Sequence, residues 1–513
     1  MSDPVTHPKG EQQNGALIPV SGPVAVDTYG GRIHVEWDPE AAVTPLGQLP
    51  FFIDYLKLGG LFDPWVESCP LQWTSPNAPR KRDVLGTVLL SVLSGHQRYA
   101  HISRCRSDGV NPALLGMEKV VSEDSVRRAY LKMDEEEGVC WLQDNLHRVY
   151  APLLNVPWIL DGDVTVKPLY GHQEGAEIGY NPHKPGRPSH TYHSYMLSPL
   201  RLILEVEVQS GKKTASKYSA PGLWEWLARV PREHWPVLIR GDKDWGTEHN
   251  MQRAEQEGVP YLFKLRLTKN VRRAIERLMG DREWVDAAEG WQGAETTLRL
   301  QGWGKARRVV VLRRSVNRDI AIAEQSNPGQ LRLSFAQLSD NITLYEYAVL
   351  ATSLPDEILT IAQLYRDRAD CENNFDELKN HWGWGGFTTQ DIKRCRLMAR
   401  TTALIYNWWS LFVRLARPHQ HTEAITSRPL MLQAVGRQTQ HANQTKLTLT
   451  SAHAEAEQIE AEYRFVAAFF HSLRSTAEQL LPIERWCRIL SQALIKYFHG
   501  RQLKPPAWLL APG

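Results

Sequence analysis

Between about residues 44 and 150 the apolar positions recur every three to four residues; near residue 155 the repeat shortens to two. LPFFIDYLKLGGLFDPW and RDVLGTVLLSVLSGHQRYAHISRCR carry the longer spacing, which places their apolar residues on one helical face. VVSEDSVRRAYLKM adds a start signal: Ser122 as N-cap, Glu123 and Asp124 in the first turn, and Val121 with Val126 as a hydrophobic staple. The exposed face of that helix would carry Arg127, Arg128 and Lys132. In PWILDGDVTVKPLYG, Ile159, Asp161, Asp163, Thr165 and Lys167 share one face, and Leu160, Val164 and Val166 the other. That is a strand with two acids pointing the same way.

Further strands are expected in the 191–208 region, ending LRLILEVEVQSG, then a helix over ASKYSAPGLWEWLARV. A short strand from Val237 to Ile239 ends at Gly241-Asp242, and a helix and the strand VPYLFKLRL follow. Three strands, a helix, a strand, a helix and a strand make a mixed α/β sheet. Ligands of such sheets collect beyond the carboxyl ends of strands, where Asp242 lies. Residues 280–345 read as a β-rich insertion carrying Arg299, Lys305, Arg307, Arg308, Arg313 and Arg314, and the sheet resumes at YEYAVLATS. RLMARTTALIYNWWSLFVRLA is an apolar core helix, 418–450 a polar loop, and 451–500 helical with Phe465, Phe469, Phe470, Leu473 and Leu480 packed inward.

The divisions are therefore a disordered tail (1–24, rich in Pro, Gly and Gln), a helical N-terminal region (25–152), a sheet domain in two parts (153–279 and 346–417) around the insertion (280–345), and a helical C-terminal region (418–513) suited to dimerisation.

A helix is expected from Leu364 to Trp384. At 100° per residue Tyr365, Arg368, Glu372 and Lys379 fall in one stripe about 60° wide, beside Ile361, Leu364, Phe375 and Leu378. A carboxylate flanked by two cations and a phenol at the edge of a buried face suits a metal and a phosphate, because unpartnered charge there is costly. Asp163, Asp242 and Glu372 then supply three hard oxygen donors, which suit Mg²⁺ or Mn²⁺ rather than zinc. Two such ions support in-line phosphoryl transfer. Arg368 would hold a phosphate through its fork, Lys379 as a point charge and Tyr365 by a hydrogen bond. Acids at strand ends also arise from capping or solvation, so the weight rests on the three together.

Composition narrows the partners. Lys and Arg number 60 against 57 Asp and Glu, a formal charge of +3, so a nucleic-acid surface must be a local patch. Arg80-Lys81-Arg82 and the helix bearing Arg127 and Arg128 form one candidate patch. The loop YNPHKPGRPSHTYH forms another, with Tyr180, Asn181, His183, Lys184, Arg187 and His193 placed to grip phosphates. Six scattered cysteines without a C-x-x-C pair read as reduced thiols. The polar start and the short apolar runs predict a soluble, cytoplasmic protein without a membrane partner.

Tyr365-x-x-Arg368-x-x-x-Glu372-x-x-x-x-x-x-Lys379 resembles the Tyr-Arg-Glu-Lys signature of the bacterial insertion-sequence-four transposase superfamily. DGDVTVKPLYGHQEGAEIGYNPHKPGRPSH and VLIRGDKDW resemble its first- and second-aspartate motifs, most closely in the thirteen-eighty branch, and the likeness covers about residues 80–450. The resemblance implies a ribonuclease-H-like mixed sheet interrupted by the β-rich insertion and flanked by helical N- and C-terminal regions. It implies cut-and-paste transposition by a DDE triad with two Mg²⁺ or Mn²⁺ ions per site, through DNA hairpin intermediates. The partners implied are terminal inverted repeats, target DNA and a second copy in a dimeric synapse, at the bacterial nucleoid. Carried over by residue, Asp163, Asp242 and Glu372 are the triad, and Tyr365, Arg368 and Lys379 bind phosphate. Asp161 rivals Asp163, and Asp376 rivals Glu372; the Asp-x-Thr pattern and the motif spacing favour the latter of each pair read as Asp163 and Glu372. Relatives stack a flipped base on an aromatic residue upstream of the signature. No Trp stands there, so Tyr347 is the nearest candidate, with Trp291 and Trp303 as rivals. A nuclease that cuts without rejoining, and a DNA-binding protein that has lost catalysis, are the competing functions.

Overall fold

The computed structural model describes residues 23–38, 40–181, 184–281, 283–316, 344–419, 421–442, 444–450, 455–476 and 480–506. The expected tail lies almost wholly outside them, as do His183 and residues 317–343 of the expected insertion.

A hairpin (β1, Val24–Thr28; β2, Gly31–Val35) and a short strand (β3, Val43–Thr44) precede a run of helices. These include Leu49–Leu58, Lys81–Leu93, Glu123–Lys132 and Glu135–Tyr150, as the apolar spacing predicts. The Ser122 hydroxyl accepts the Ser125 N–H at 3.2 Å, and Val121 and Val126 are both buried. The expected cap and staple are therefore present.

The sheet comprises β4 (Ile159–Pro168), β5 (Glu177–Ile178), β6 (Pro188–Ser198), β7 (Leu202–Ser210), β8 (Leu238–Gly241), β9 (Tyr261–Lys264), β10 (Val285–Asp286), β11 (Trp291–Leu298), β12 (Arg307–Val316) and β13 (Leu344–Thr352). Its order is β10-β11-β12-β13-β9-β8-β4-β6-β5, with β7 also paired to β6. β4 runs parallel to β8 and β8 to β9; β6 and β7 are antiparallel. Within 280–345, β10, β11 and β12 continue this same sheet through β13, whose Leu350 pairs with Lys264 of β9.

The Ile392–Ala416 helix is buried nearly all round and packs against β7 and the Glu135–Tyr150 helix. Two of its buried polar side chains are satisfied by β7. Arg400 pairs with Glu205 at 2.7 Å and with Glu207, while Asn407 donates to Ile203 O at 2.8 Å and accepts its N–H at 2.9 Å. Unpaired, such groups would each cost about 1–3 kcal/mol.

Three expectations are corrected. The stretch 418–450 is not a loop: it forms a helix (Ala424–Met431) and a hairpin (β14, Val435–His441; β15, Gln444–Thr450), with β14 paired to β3. Both faces of the hairpin are largely exposed, so no apolar alternation announced it. In the Ala456–Thr476 helix the buried stripe is Ile459, Tyr463, Val466, Phe470 and Leu473, and Phe465 points outward at 54 % exposure. His193 lies in β6 rather than in a loop, and is buried.

Candidate active site

The register of β4 against β8 builds the site. Asp161 stands opposite Arg240 and Gly162 opposite Gly241, and there the ladder ends. The next residues are Asp163, still within β4, and Asp242, just past the end of β8, on neighbouring strands about 4.8 Å apart. Both glycines lie under the Trp245 indole, which is fully buried. A Cβ at Gly162 would sit 2.1 Å from that ring, and one at Gly241 2.3 Å from it, so only glycine fits beside each acid. Asp242 turns the chain: its carbonyl accepts the Trp245 N–H at 2.9 Å, and its carboxylate accepts the Asp244 N–H at 2.9 Å.

Asp161 and Asp163 share a face as expected, yet their environments differ. Asp161 is 1 % exposed and takes both arms of Arg240, at 2.6 and 2.7 Å. Arg240 spends its remaining donors on Ser198 Oγ at 2.6 Å and Leu364 O at 2.5 Å. This pair is complete without a ligand. Asp163 accepts the Val164 N–H at 2.7 Å, ion-pairs with Arg368, and has the Cys371 thiol 3.7 Å away.

Burial pushes the Asp163 carboxyl up to about 7; Arg368 opposes the rise, and the charges of Asp242 and Glu372 add to it. Burial also raises Asp242, again opposed by Arg368. Arg368 in turn lies 3.8 Å from Glu372, whose side chain is 73 % exposed. Asp163, Asp242, Glu372 and Arg368 thus form one electrostatic group.

The Leu364–Trp384 helix is corrected to two, Ile358–Arg366 and Ala369–His381, joined at Asp367–Arg368. No Gly or Pro marks the join, and its cause is tertiary. In a continuous helix Leu364 O would accept the Arg368 N–H. Here the Arg240 guanidinium takes that carbonyl, and the Arg368 N–H bonds Tyr365 O at 3.3 Å instead. The tightened turn aims Arg368 at Asp163.

The other expected residues are placed as follows. Tyr365 is half-buried with Lys264 5.6 Å from its ring centre. Lys379 is half-buried, and desolvation lowers its pKa against the opposing charge of Asp376. Asp376 is exposed and accepts from Asn380 at 2.8 Å. Asn181, Lys184 and Arg187 cluster by Tyr170. Arg127 lies over Tyr99 and near Glu123 and Asp124, and Arg128 is exposed on the same helix. Arg80 pairs with Asp83 and Glu118, Lys81 donates to Cys69 O, and Arg82 pairs with Asp63, so all three cations have internal partners. Tyr347 is 7 % exposed in β13 opposite Arg313, and Trp291 and Trp303 are also buried; none of the three offers an open face to a base.

Among the described residues, no three His, Cys, Asp or Glu side chains stand close enough as placed to hold a metal ion. The donor set still fits a hard divalent cation, being all carboxylate: burial and the charges of Asp242 and Glu372 raise the Asp163 carboxyl, and a bound cation would oppose that rise. Residues the motifs did not reveal are Arg240, Trp245 and Cys371; the glycines in Asp161-Gly162-Asp163 and Gly241-Asp242 were the available sign of Trp245.

No helix among the described residues is long and apolar enough to cross a membrane. No curated protein matches the chain. Among solved structures, a cryo-EM structure titled as the piggyBac transposase synaptic complex with hairpin DNA aligns at 11 % identity and a TM-score of 0.37, covering 92 % of this chain and 87 % of that one. The family described as Transposase DDE domain group 1 matches residues 78–468, more than half of the chain. On that match the chain belongs to the DDE transposase family, whose work is DNA recombination by transposition.

Proposed function

We propose that the protein is a cut-and-paste transposase in which Asp163, Asp242 and Glu372 hold two Mg²⁺ or Mn²⁺ ions. The observation that carries this reading is the grouping of those three acids around Arg368, at the point where β8 ends beside β4. The strand order β7-β6-β4-β8-β9, antiparallel on one side and parallel on the other, supports a ribonuclease-H-like core. The 280–345 stretch is its β-rich insertion, and the resemblance to the Tyr-Arg-Glu-Lys signature supports the insertion-sequence-four assignment.

Divalent ions, when bound, activate the attacking water or 3′-hydroxyl and stabilise the leaving oxygen. The protein's own groups bind and orient. Asp242 is fixed through one oxygen by the Asp244 N–H and presents the other to the site, while Asp163 is held by the Val164 N–H on one oxygen and by Arg368 on the other. Arg368 neutralises Asp163 and, on substrate binding, turns its fork to a phosphate. Tyr365 donates to a phosphate oxygen and Lys379 adds a point charge. Asn181, Lys184, Arg187, Arg127 and Arg128 hold the DNA backbone. The substrates are the terminal inverted repeats of the element and a target DNA, with a hairpin intermediate, in a dimeric synapse at the bacterial nucleoid.

A labelled duplex carrying the element's ends, with Mg²⁺ or Mn²⁺ and a target plasmid, tests the reading. Cleavage followed by joining supports it. Cleavage without joining points to a nuclease, and binding without either, unchanged by Asp163→Asn, contradicts catalysis.

A further inference from the structure

Two exposed tyrosines flank the acid-bearing strands, and each carries cations against its ring. Tyr170, 68 % exposed, follows β4 closely. Lys184 Nζ lies 4.9 Å from its ring centre and donates to its hydroxyl, and the Arg187 guanidinium lies 4.7 Å from the ring. Tyr180, 59 % exposed, has Lys243 Nζ 5.0 Å from its ring centre. Lys243 is the residue after Asp242, so this contact ties the 169–181 loop to the turn that carries the second acid.

The loop's acids are engaged elsewhere. Glu174 accepts the Ile392 N–H at 3.1 Å, and Glu177 pairs with Lys212 at 3.0 Å. The loop's own backbone is pinned as well: Asn181 accepts the Lys184 N–H at 3.0 Å, and Glu174 N–H donates to Gln390 O at 2.8 Å. What faces outward is a pre-ordered surface of two phenol rings and three cations. Large aromatic rings normally bury their area. Exposed rings set among cations suit single-stranded nucleic acid, where bases stack on the rings and cations follow the phosphates.

We propose that Tyr170, Tyr180, Lys184, Arg187 and Lys243 form a platform for unpaired nucleotides of a DNA end lying in the active site. Tyr170 and Tyr180 stack on bases, and Lys184, Arg187 and Lys243 hold the adjoining phosphates. The proposal rests on reading the site as a DNA-cleaving centre, and it specifies the form of DNA on this flank. Paired bases keep their faces in the duplex stack, so only unpaired ones can use the rings.

The test compares two fluorescent probes, a 30-base-pair duplex with blunt ends and the same duplex with a six-nucleotide oligo-dT extension containing one 2-aminopurine. Wild type binds the extended probe about tenfold more tightly, with a change in 2-aminopurine emission. Tyr180→Ala and Tyr170→Ala lose that preference, whereas the Phe variants keep it. Lys243→Ala lowers the salt dependence of binding to the extended probe. Equal preference in the wild type and both Ala variants overturns the platform. Wild type that cleaves end-bearing DNA yet shows no preference overturns the platform alone; wild type that binds neither probe overturns the DNA reading with it.

Discussion

Arg368 and Asp163 form a buried ion pair between two elements far apart in sequence, with the guanidinium reaching from the broken helix to the first acid of the site. Arg368 is 7 % exposed and Asp163 8 %. The pair holds the site's negative charge in check: burial and the charges of Asp242 and Glu372 raise the Asp163 carboxyl, and this guanidinium is the main group opposing them.

Removing Arg368 leaves Asp163 buried beside Asp242 without its counter-charge. Arg368→Ala is expected to lose about 3 kcal/mol of stability at pH 8 in urea unfolding. A carboxyl raised in the folded state keeps its proton there after the unfolded chain has released it, so its contribution falls as pH rises above the unfolded value. The loss in Arg368→Ala therefore shrinks towards pH 5. Asp163→Asn added to Arg368→Ala recovers part of it; strict additivity of the two changes would contradict the coupling.

Asp161 and Asp163 are separable by experiment. Asp161→Asn leaves Arg240 buried without a charged partner, and should cost about 3 kcal/mol or more. It should also loosen the turn at Arg368, because Arg240 holds Leu364 O. Asp163→Asn should abolish DNA cleavage and cost less in stability than Asp161→Asn, because Arg368 keeps Glu372 and Asp242 as nearby opposite charges. Thermal unfolding and a cleavage assay on both variants check the division.

Gly162→Ala drives a methyl group into the Trp245 ring and should destabilise by about 2 kcal/mol. The atoms met are Cζ2, Cη2 and Cε2, on the far side of the indole. Trp245→Phe removes part of that ring, so the double variant should be more stable than the sum of the singles predicts. Additive losses in chemical denaturation would show that the close approach does not limit this position.

His193 adds a pH dependence of opposite sign to that of Asp163. Burial lowers its pKa to about 3, and it bridges Ser219 and Thr191 at 3.2 and 3.0 Å. The unfolded chain binds this proton below about pH 6.5 while the folded one refuses it until about pH 3, so stability rises with pH across that window. The slope attributable to the residue approaches about 1.4 kcal/mol per pH unit. His193→Gln should flatten the wild-type curve between pH 4 and 6; an unchanged slope would place the burden on other groups.

Local features were legible in the chain and long-range ones were not. The Ser122 cap, the Val121–Val126 staple and the alternation that puts Asp161 and Asp163 on one face each depend on neighbours within five residues. The break at Asp367–Arg368 depends on an arginine 124 residues from the carbonyl it takes, and nothing in the helix's own sequence encodes that visit. The β14–β15 hairpin escaped because its faces are mostly wet, so backbone pairing rather than burial defines it. Hydrophobicity alone points Phe465 inward, but phase decides: the stripe steps from Ile459 to Tyr463, Val466, Phe470 and Leu473 and passes Phe465 by. At the site, acids could be ranked by spacing, but only the fold shows that Asp161 is already committed to Arg240.

The most direct measurement is single-turnover cleavage of an end-bearing duplex with saturating Mg²⁺, comparing wild type with Asp163→Asn, Asp242→Asn, Glu372→Gln and Asp376→Asn. The account predicts that the first three lose at least about 10³-fold in rate while still binding the duplex, a loss of about 4 kcal/mol in transition-state stabilisation. Asp376→Asn should cleave within about threefold of wild type, a change worth under about 1 kcal/mol. Full activity in Glu372→Gln together with loss in Asp376→Asn would contradict the assignment of the third acid, and full activity in Asp163→Asn would contradict the site itself.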